Sequence, residues 1–121
     1  MQINSLKKDV ICSYLAMPLT KELSDKALCV VTAAGIIIGS PIPSEKSKDI
    51  NTMIGFIGNN NAEIFTKYKE NKGISNKAKL PGNDGFFTLK DVKLVSGTTT
   101  SDFDFIDIFF DQVIAVTLTQ K

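Results

Sequence analysis

Residues 85–121, the last third of the chain, constrain the fold more than any other part of the sequence. They contain two long runs of β-branched and aromatic residues on either side of a Gly-Thr-Thr-Thr-Ser segment at 97–101. Such side chains pack well on a pleated surface, and glycine followed by small polar residues is typical of a turn. The pattern predicts strands that belong to a small sheet or barrel.

The first part of the chain predicts a helix and then a hairpin. Apolar residues recur at near-helical spacing through 4–15, with Asn4 or Ser5 as the cap and Pro18 after the end. Two apolar runs, 27–32 and 36–40, follow on either side of a predicted turn that contains Gly35. Pro41 and Pro43 are expected to stop the second strand.

The middle of the chain has a helical rather than a strand pattern. Ile50, Met53, Ile54 and Ile57 recur at i, i+3, i+4 and i+7, which predicts one helical face. Gly58 and the three asparagines after it are expected to break this helix. A second short helix is predicted over 62–72, with Gly73 as its C-cap, and a loop over 75–85.

Composition excludes several common kinds of site. The 121 residues carry a net charge of +1 and contain no histidine, and all 14 basic residues are lysine. Without histidine, Ser-His and Cys-His pairs and His-containing zinc sites cannot form. Without arginine there is no bidentate fork for phosphate or guanine. We therefore expect a protein that is not an enzyme and that carries no cofactor.

Cysteine use and hydropathy predict an intracellular protein. Cys12 and Cys29 lack CxxC spacing and each lies in an apolar run, so structural thiols are favoured over a disulfide or a reactive thiol. The longest apolar stretch, 27–39, is too short to cross a bilayer. Lys7 and Lys8 before an apolar run imitate a secretory signal, but no small-residue cleavage site follows. A cytoplasmic protein with no membrane partner is the expectation.

The segment Phe87-Thr88-Leu89-Lys90-Asp91-Val92, and the order of elements around it, resemble the Sm/LSm family, which includes bacterial RNA chaperones. That family has an N-terminal helix and a strongly bent five-stranded antiparallel barrel, and residues 89–92 stand at the place of its Leu-x-Asp-Ala. The resemblance implies a hairpin at 27–40 and further strands at 86–96, 103–110 and 113–118, the last two joined at Asp111-Gln112.

The expected fold is mainly β (α+β), an Sm-like or SH3-like small antiparallel barrel. It has an N-terminal helix and a helical insertion at 44–84 between strands 2 and 3, within a single domain at 1–121. A PRC-type or other SH3-like barrel has a similar strand rhythm and stays an alternative. Fold likeness does not by itself imply a relative's activity.

This sequence departs from the Sm/LSm pattern at the positions that bind RNA in the family. The family's base-binding Asp and Asn correspond by position to Gly82 and Phe86. Its Arg-Gly turn between the last strands corresponds roughly to Phe110-Asp111. The resemblance therefore supports the fold more strongly than it supports RNA binding.

Four acidic residues near the C-terminus suggest a cation site at first sight. Hard cations such as calcium need several carboxylates on one loop, with a glycine for the sharp turn. The sequence DFDFIDIFFD offers no such glycine, and a strand directs alternate residues to opposite faces. We interpret the four residues as ordinary strand amphipathicity, and no metal site is predicted at Asp102, Asp104, Asp107 or Asp111.

The closing strands suggest an interface. Residues 113–118 are apolar on both faces apart from Thr117, which is typical of a strand covered on both sides. In Sm-like rings the closing strands pair with the neighbouring protomer, so the resemblance implies a homo-oligomer. Burial under the chain's own helices explains the same pattern. The candidate interface residues are Phe109, Phe110, Val113, Ile114 and Val116.

A lysine-rich segment at 67–79 suggests the alternative function, RNA or single-stranded nucleic-acid binding. Its lysines would contact phosphates and its tyrosine would stack on a base. A solvated basic face is the simpler interpretation. The candidate nucleic-acid contacts are Lys67, Tyr68, Lys69, Lys72, Lys77 and Lys79. The first hypothesis is a non-enzymatic small-barrel module that acts by self-association or partner binding.

Overall fold

The computed structural model describes residues 5–42, 53–75 and 77–121. It contains two α-helices and a five-stranded antiparallel sheet. The elements are α1 (Leu6–Ala16), β1 (Lys26–Thr32), β2 (Gly35–Pro41), α2 (Met53–Asn71), β3 (Phe86–Ser96), β4 (Thr99–Phe109) and β5 (Val113–Gln120), with 3₁₀ turns at Met17–Leu19 and Phe110–Gln112.

The strands lie in the order β4-β3-β2-β1-β5, and each neighbouring pair is antiparallel. This confirms the predicted α+β class, with a mainly antiparallel sheet and a helical segment between the second and third strands. The sheet is open rather than closed, because β4 and β5 are its two edges and do not pair with each other within the described chain.

Two turns differ from the prediction. The β3–β4 turn consists of Gly97 and Thr98 alone, since Ser96 already pairs with Thr99. Thr99 and Thr100, which the sequence placed in that turn, extend β4 instead. In the first hairpin the turn is Ala33-Ala34, and Gly35 is the first residue of β2, paired with Thr32. The Thr32 hydroxyl accepts from the Ala34 amide at 3.2 Å and donates to the Gly35 carbonyl at 3.1 Å, which stabilises this turn.

The first helix begins where the sequence predicts, and Ile11, Tyr14 and Leu15 of the predicted apolar face pack in or against the core, but the start of the helix differs from the prediction. The Ser5 hydroxyl accepts the Lys8 amide at 3.0 Å, a normal N-cap. Ile11 is fully buried, whereas Leu6, which the pattern assigned to the apolar face, is 79% exposed. Lys8 is buried in its place. The helix is rotated so that a lysine, rather than Leu6, faces the protein.

The insertion contains one 19-residue helix, α2, where two short helices were predicted. Gly58 and Asn59–Asn61 lie within it and do not break it. Their propensity costs about half to one kcal/mol each, and a second helix would need its own costly nucleus. Ile50 lies outside the described residues. The predicted C-cap is confirmed, because the amides of Gly73 and Ile74 donate to the last free carbonyls of the helix at 3.2 and 2.8 Å.

The core lies between one face of the sheet and α1. Ile11 of the helix packs with apolar side chains from every strand and from the turn before β5. Its buried members are Ile11, Leu28, Val30, Ile37, Phe87, Leu89, Val92, Ile108, Phe110 and Val113. Alternate residues of β3 and β4, including Phe86 and Asp107, point to the opposite side, where α2 lies.

A β-bulge bends the sheet at Asp91. Ile38 pairs with Lys93 and Ser40 with Lys90, so Gly39 faces both Asp91 and Val92. Asp91 adopts φ +52°, the left-handed region that aspartate tolerates better than most residues.

We expect Asp91→Ala to lower the free energy of unfolding by about 1 kcal/mol, because alanine adopts the left-handed region less readily than aspartate does. Asp91→Gly should stay within about 0.5 kcal/mol of the parent. Urea unfolding of both variants checks this, with Asp104→Ala on β4 as the exposed control. Equal midpoints for the alanine and glycine variants would show that the left-handed backbone at position 91 is not what selects aspartate.

Candidate functional site

The β5 edge of the sheet is an unprotected strand. Val113–Gln120 contains no charged residue and no proline, the two devices that commonly block an edge from pairing. Val31 pairs with Ala115 and Thr32 with Val113, so Ile114 is the extra residue of a bulge. Its side chain is 69% exposed. Within the described part of the chain, the outer side of β5 pairs with no other strand, so the edge offers backbone groups for pairing next to an exposed apolar side chain.

The β4 edge is longer and partly acidic. It extends over 11 residues, and Phe103 is 43% exposed on it. Asp102 forms an ion pair with Lys93 of the neighbouring strand, with 3.2 Å between the ammonium nitrogen and a carboxylate oxygen. Asp104 is also exposed. The two edges of the sheet therefore differ in length and in charge.

The five candidate interface residues fall into two groups. Phe110 and Val113 are buried in the chain's own core, and Val116 packs partly against it. Phe109 and Ile114 are exposed, at 56% and 69%. The neighbouring phenylalanines thus point opposite ways: the Phe110 ring contacts Phe87 at 5.4 Å, and the Phe109 ring contacts Phe86 at 5.6 Å on the α2 side.

The lysine-rich segment lies at the end of α2 and in the loop that follows. Lys67, Lys72, Lys77 and Lys79 are exposed, and Lys69 is half-buried. The Tyr68 ring is contacted by the Lys72 ammonium at 5.8 Å from its centre. The structure thus gathers several cations on one surface, but one of them already covers the aromatic ring that was predicted to stack on a base.

Asp84 connects both helices to the loop before β3. The Tyr68 hydroxyl of α2 donates to its carboxylate at 2.8 Å. This hydrogen bond raises the pKa of Tyr68, with smaller contributions from burial and from the charge of Asp84. The backbone carbonyl of Asp84 accepts the Lys8 ammonium of α1 at 2.6 Å.

Lys8 is a buried cation that the sequence pattern did not reveal. It is 7% exposed, and its ammonium donates to the carbonyls of Leu80 and Asp84 at 2.8 and 2.6 Å and lies 5.2 Å from the centre of the Phe110 ring. Burial lowers the pKa of Lys8, partly opposed by the nearby Cys12 and Asp84. The sequence pattern could not distinguish it, because the preceding residue, Lys7, is also a lysine.

The acidic residues of β4 are not gathered into a metal site. Among residues 5–42, 53–75 and 77–121, no three His, Cys, Asp or Glu side chains are placed to hold one ion. Asp107 instead accepts from the Thr88 hydroxyl at 2.6 Å and from the Asn61 amide at 3.1 Å. This three-residue polar cluster joins α2 to the sheet, and the sequence pattern gave no reason to single it out.

Both cysteines are free thiols. Desolvation raises the pKa of Cys12, against the opposing effect of the Lys8 and Lys79 charges, and burial raises the pKa of Cys29. Neither thiol is therefore activated as a nucleophile, because reactive cysteines have lowered pKa values.

Comparison with family models, with curated proteins and with solved structures finds no match to this chain. In the described part of the chain, no helix has both the length and the apolar character needed to span a bilayer.

Proposed function

We propose that this chain is a non-enzymatic, Sm-like assembly module in which the β4 edge of one copy pairs with the β5 edge of the next. The observation that carries the proposal is the β5 edge, which lacks charge and proline and exposes Ile114. Such an edge is a template for another strand. The β4 edge of a second copy supplies a strand of sufficient length.

The order of the strands supports the Sm-like part of the proposal. The last two strands are adjacent in sequence, joined by the turn Phe110–Gln112, yet they lie at opposite ends of the sheet. In the Sm/LSm family, which the sequence resembles, the closing strands pair with a neighbouring protomer. The same arrangement here completes the hydrogen bonding of both edges without closing the sheet within one copy.

The difference between the two edges determines the kind of assembly. A two-fold dimer joins identical surfaces, whereas pairing of β4 with β5 is heterologous. Heterologous contacts produce a ring when the rotation closes and a filament when it does not. We therefore expect an oligomer larger than a dimer.

Native mass spectrometry, with and without nuclease treatment, tests this proposal against the nucleic-acid alternative. A set of masses at multiples of the 13.2 kDa chain that survives nuclease supports assembly by the protein alone. A monomer at all concentrations overturns the assembly proposal. Loss of the oligomer after nuclease treatment also overturns it, and favours nucleic-acid binding by the lysine-rich segment of α2 and the loop after it.

We expect Ile114→Asp to weaken self-association at least about tenfold, because a carboxylate at the β5 edge must be desolvated and faces an acidic β4 edge. The monomer should keep its stability to within about 0.5 kcal/mol, since the side chain is exposed. Sedimentation velocity over a concentration series measures the association. Leu6→Asp, an equally polar change at an exposed position of α1, is the control and should leave the oligomer intact.

If Ile114→Asp associates as tightly as the parent, β5 is not the contact surface. If both variants dissociate, net charge rather than this edge controls association. Circular dichroism of each variant confirms that the monomer is folded.

A further inference from the structure

A cleft opens where the sheet narrows. β2 ends at Pro41, which pairs with Leu89, so the first residues of β3, Phe86 to Thr88, pair with β4 alone. The helices α1 and α2 lie on either side of this gap. The space between them is a cavity of about 590 Å³, within the usual range for small-molecule sites.

Most of the cleft wall is apolar. Aromatic rings form one side, with Phe65 of α2 stacked on Phe86 of β3 at 5.1 Å between ring centres, and Phe105 of β4 nearby. Aliphatic and small residues of α1, of the turn that follows it and of α2 complete the wall. A ligand with an apolar body would bury its surface here.

The lining of the cleft includes one carboxylate. Asp107 lines the cleft with its two hydrogen-bond partners, Thr88 and Asn61, each of which donates to a different oxygen of the carboxylate. These donors hold the group in one orientation. Each oxygen keeps a further acceptor site, because a carboxylate can accept about four hydrogen bonds.

The charge of Asp107 has no counterion among the described residues. Neither the Lys26–Asp25 nor the Lys93–Asp102 ion pair involves Asp107. Lys90 lies on the same face of the sheet, opposite Phe105, and makes no ion pair with Asp107. A negative charge at an apolar surface is costly unless it is paired, so the site is complementary to a cation.

We propose that this cleft binds a small apolar molecule bearing a protonated amine. The ammonium donates to Asp107, and the apolar body lies among Phe65, Phe86 and Phe105. An organic cation fits better than a metal ion, because a hard metal needs several oxygen ligands whereas an ammonium needs one carboxylate and neutral acceptors. The rings add a cation–π attraction. This site does not depend on assembly of the chain into oligomers.

Three probes of nearly equal size test the chemistry of the site: phenethylamine, 2-phenylethanol and 3-phenylpropionate. Binding to the full chain is measured by isothermal titration calorimetry and by NMR chemical-shift changes. We expect the amine to bind at least about tenfold more tightly than the alcohol, since a hydrogen bond to a charged group contributes more than a neutral one. The carboxylate probe should bind most weakly.

The variant Asp107→Asn tests the residue. It should lose the preference for the amine, by about tenfold, while its affinity for the alcohol stays within about twofold. Retained alcohol binding shows that the cleft is still formed, so loss of amine binding cannot be attributed to misfolding. Asp104→Asn removes an exposed carboxylate from the other face of β4, and it should bind all three probes as the parent does.

Three outcomes overturn the proposal. The first is that none of the probes binds the parent chain at millimolar concentration. The second is that the amine and the alcohol bind equally well. The third is that Asp104→Asn and Asp107→Asn weaken amine binding equally, which would assign the preference to overall charge rather than to the cleft.

Discussion

Replacing Gly35 with alanine is expected to lower the free energy of unfolding by about 3 to 5 kcal/mol. Gly35 begins β2 with φ +142°, a conformation that residues with a Cβ rarely adopt. An added Cβ would collide with the carbonyl oxygen of Val95 in β3 and lie 3.2 Å from its carbonyl carbon. The colliding group is backbone in the middle of the sheet, so no side-chain rotation relieves the contact.

Gly97→Ala is the matched control. Gly97 also has a positive φ, +61°, but a Cβ there meets no atom within 4 Å. Gly97→Ala should lower the free energy of unfolding by only about 1 to 2 kcal/mol, because alanine must adopt the left-handed conformation but meets no other atom. Chemical unfolding followed by circular dichroism measures both variants. Equal losses would show that backbone conformation alone, without the close approach to Val95, requires glycine at position 35.

Replacing Lys8 with methionine should destabilise the protein by about 2 to 3 kcal/mol. Methionine keeps the apolar stem but leaves the carbonyls of Leu80 and Asp84 without their donor, and a buried unsatisfied polar group costs about 1 to 3 kcal/mol. The loss of the cation next to the Phe110 ring adds a smaller amount. Lys7→Met, one residue away on the same helix, should change the free energy of unfolding by no more than about 0.5 kcal/mol.

The pH dependence of this effect has a defined sign. Burial holds the pKa of Lys8 in the folded state below its ordinary value of 10.5. Between the folded and unfolded pKa values the unfolded chain binds more protons, so the contribution of Lys8 to stability rises with pH. The difference in unfolding free energy between parent and Lys8→Met should therefore grow as pH approaches 10.5. If the difference in unfolding free energy between the parent and Lys8→Met becomes smaller over this range, the pKa of Lys8 is not lowered in the folded state.

The strands were predictable because their side chains identify them locally. Branched and aromatic residues predicted strands within 85–121, and the bounds that the Sm/LSm resemblance implied for the third strand, 86–96, and the start it implied for the fifth, Val113, coincide with β3 and β5. The strand order was not predictable in the same way, because it depends on which distant segments pair. The hydrophobic pattern of a single strand also does not show whether another part of the chain covers that strand. For this reason the pattern of β5 fitted both burial under the chain's own helices and an interface with another copy.

The errors occurred where tertiary contacts outweigh local preference. Asn61 was interpreted as part of a helix break, yet its side chain donates to Asp107 from within α2. Leu6 was placed on the buried face of α1, whereas the carbonyls of the loop before β3 draw Lys8 inward. Both cases depend on partners 46 to 76 residues away in sequence, beyond the reach of periodicity.

The candidate sites were predictable to different degrees. Exposed lysines and the pair Phe109–Phe110 can be found from the sequence, although which phenylalanine faces the core cannot. The polar cluster in the cleft could not be found, because Asp107 is distinguished from Asp104 only by the face of β4 on which it lies. Sequence alternation gives the two faces but not which of them α2 covers.

The double attachment of Asp84 has a mechanical consequence. Its backbone carbonyl accepts a hydrogen bond from Lys8 of α1, and its carboxylate accepts one from Tyr68 of α2. Both helices are therefore bonded to the same short loop. Because each helix is bonded to a different atom of the same residue, the distance between the two helices depends on the position of this loop. Asp84 is not among the residues that line the cleft, so it contributes to the spacing of the two helices from outside the cleft wall.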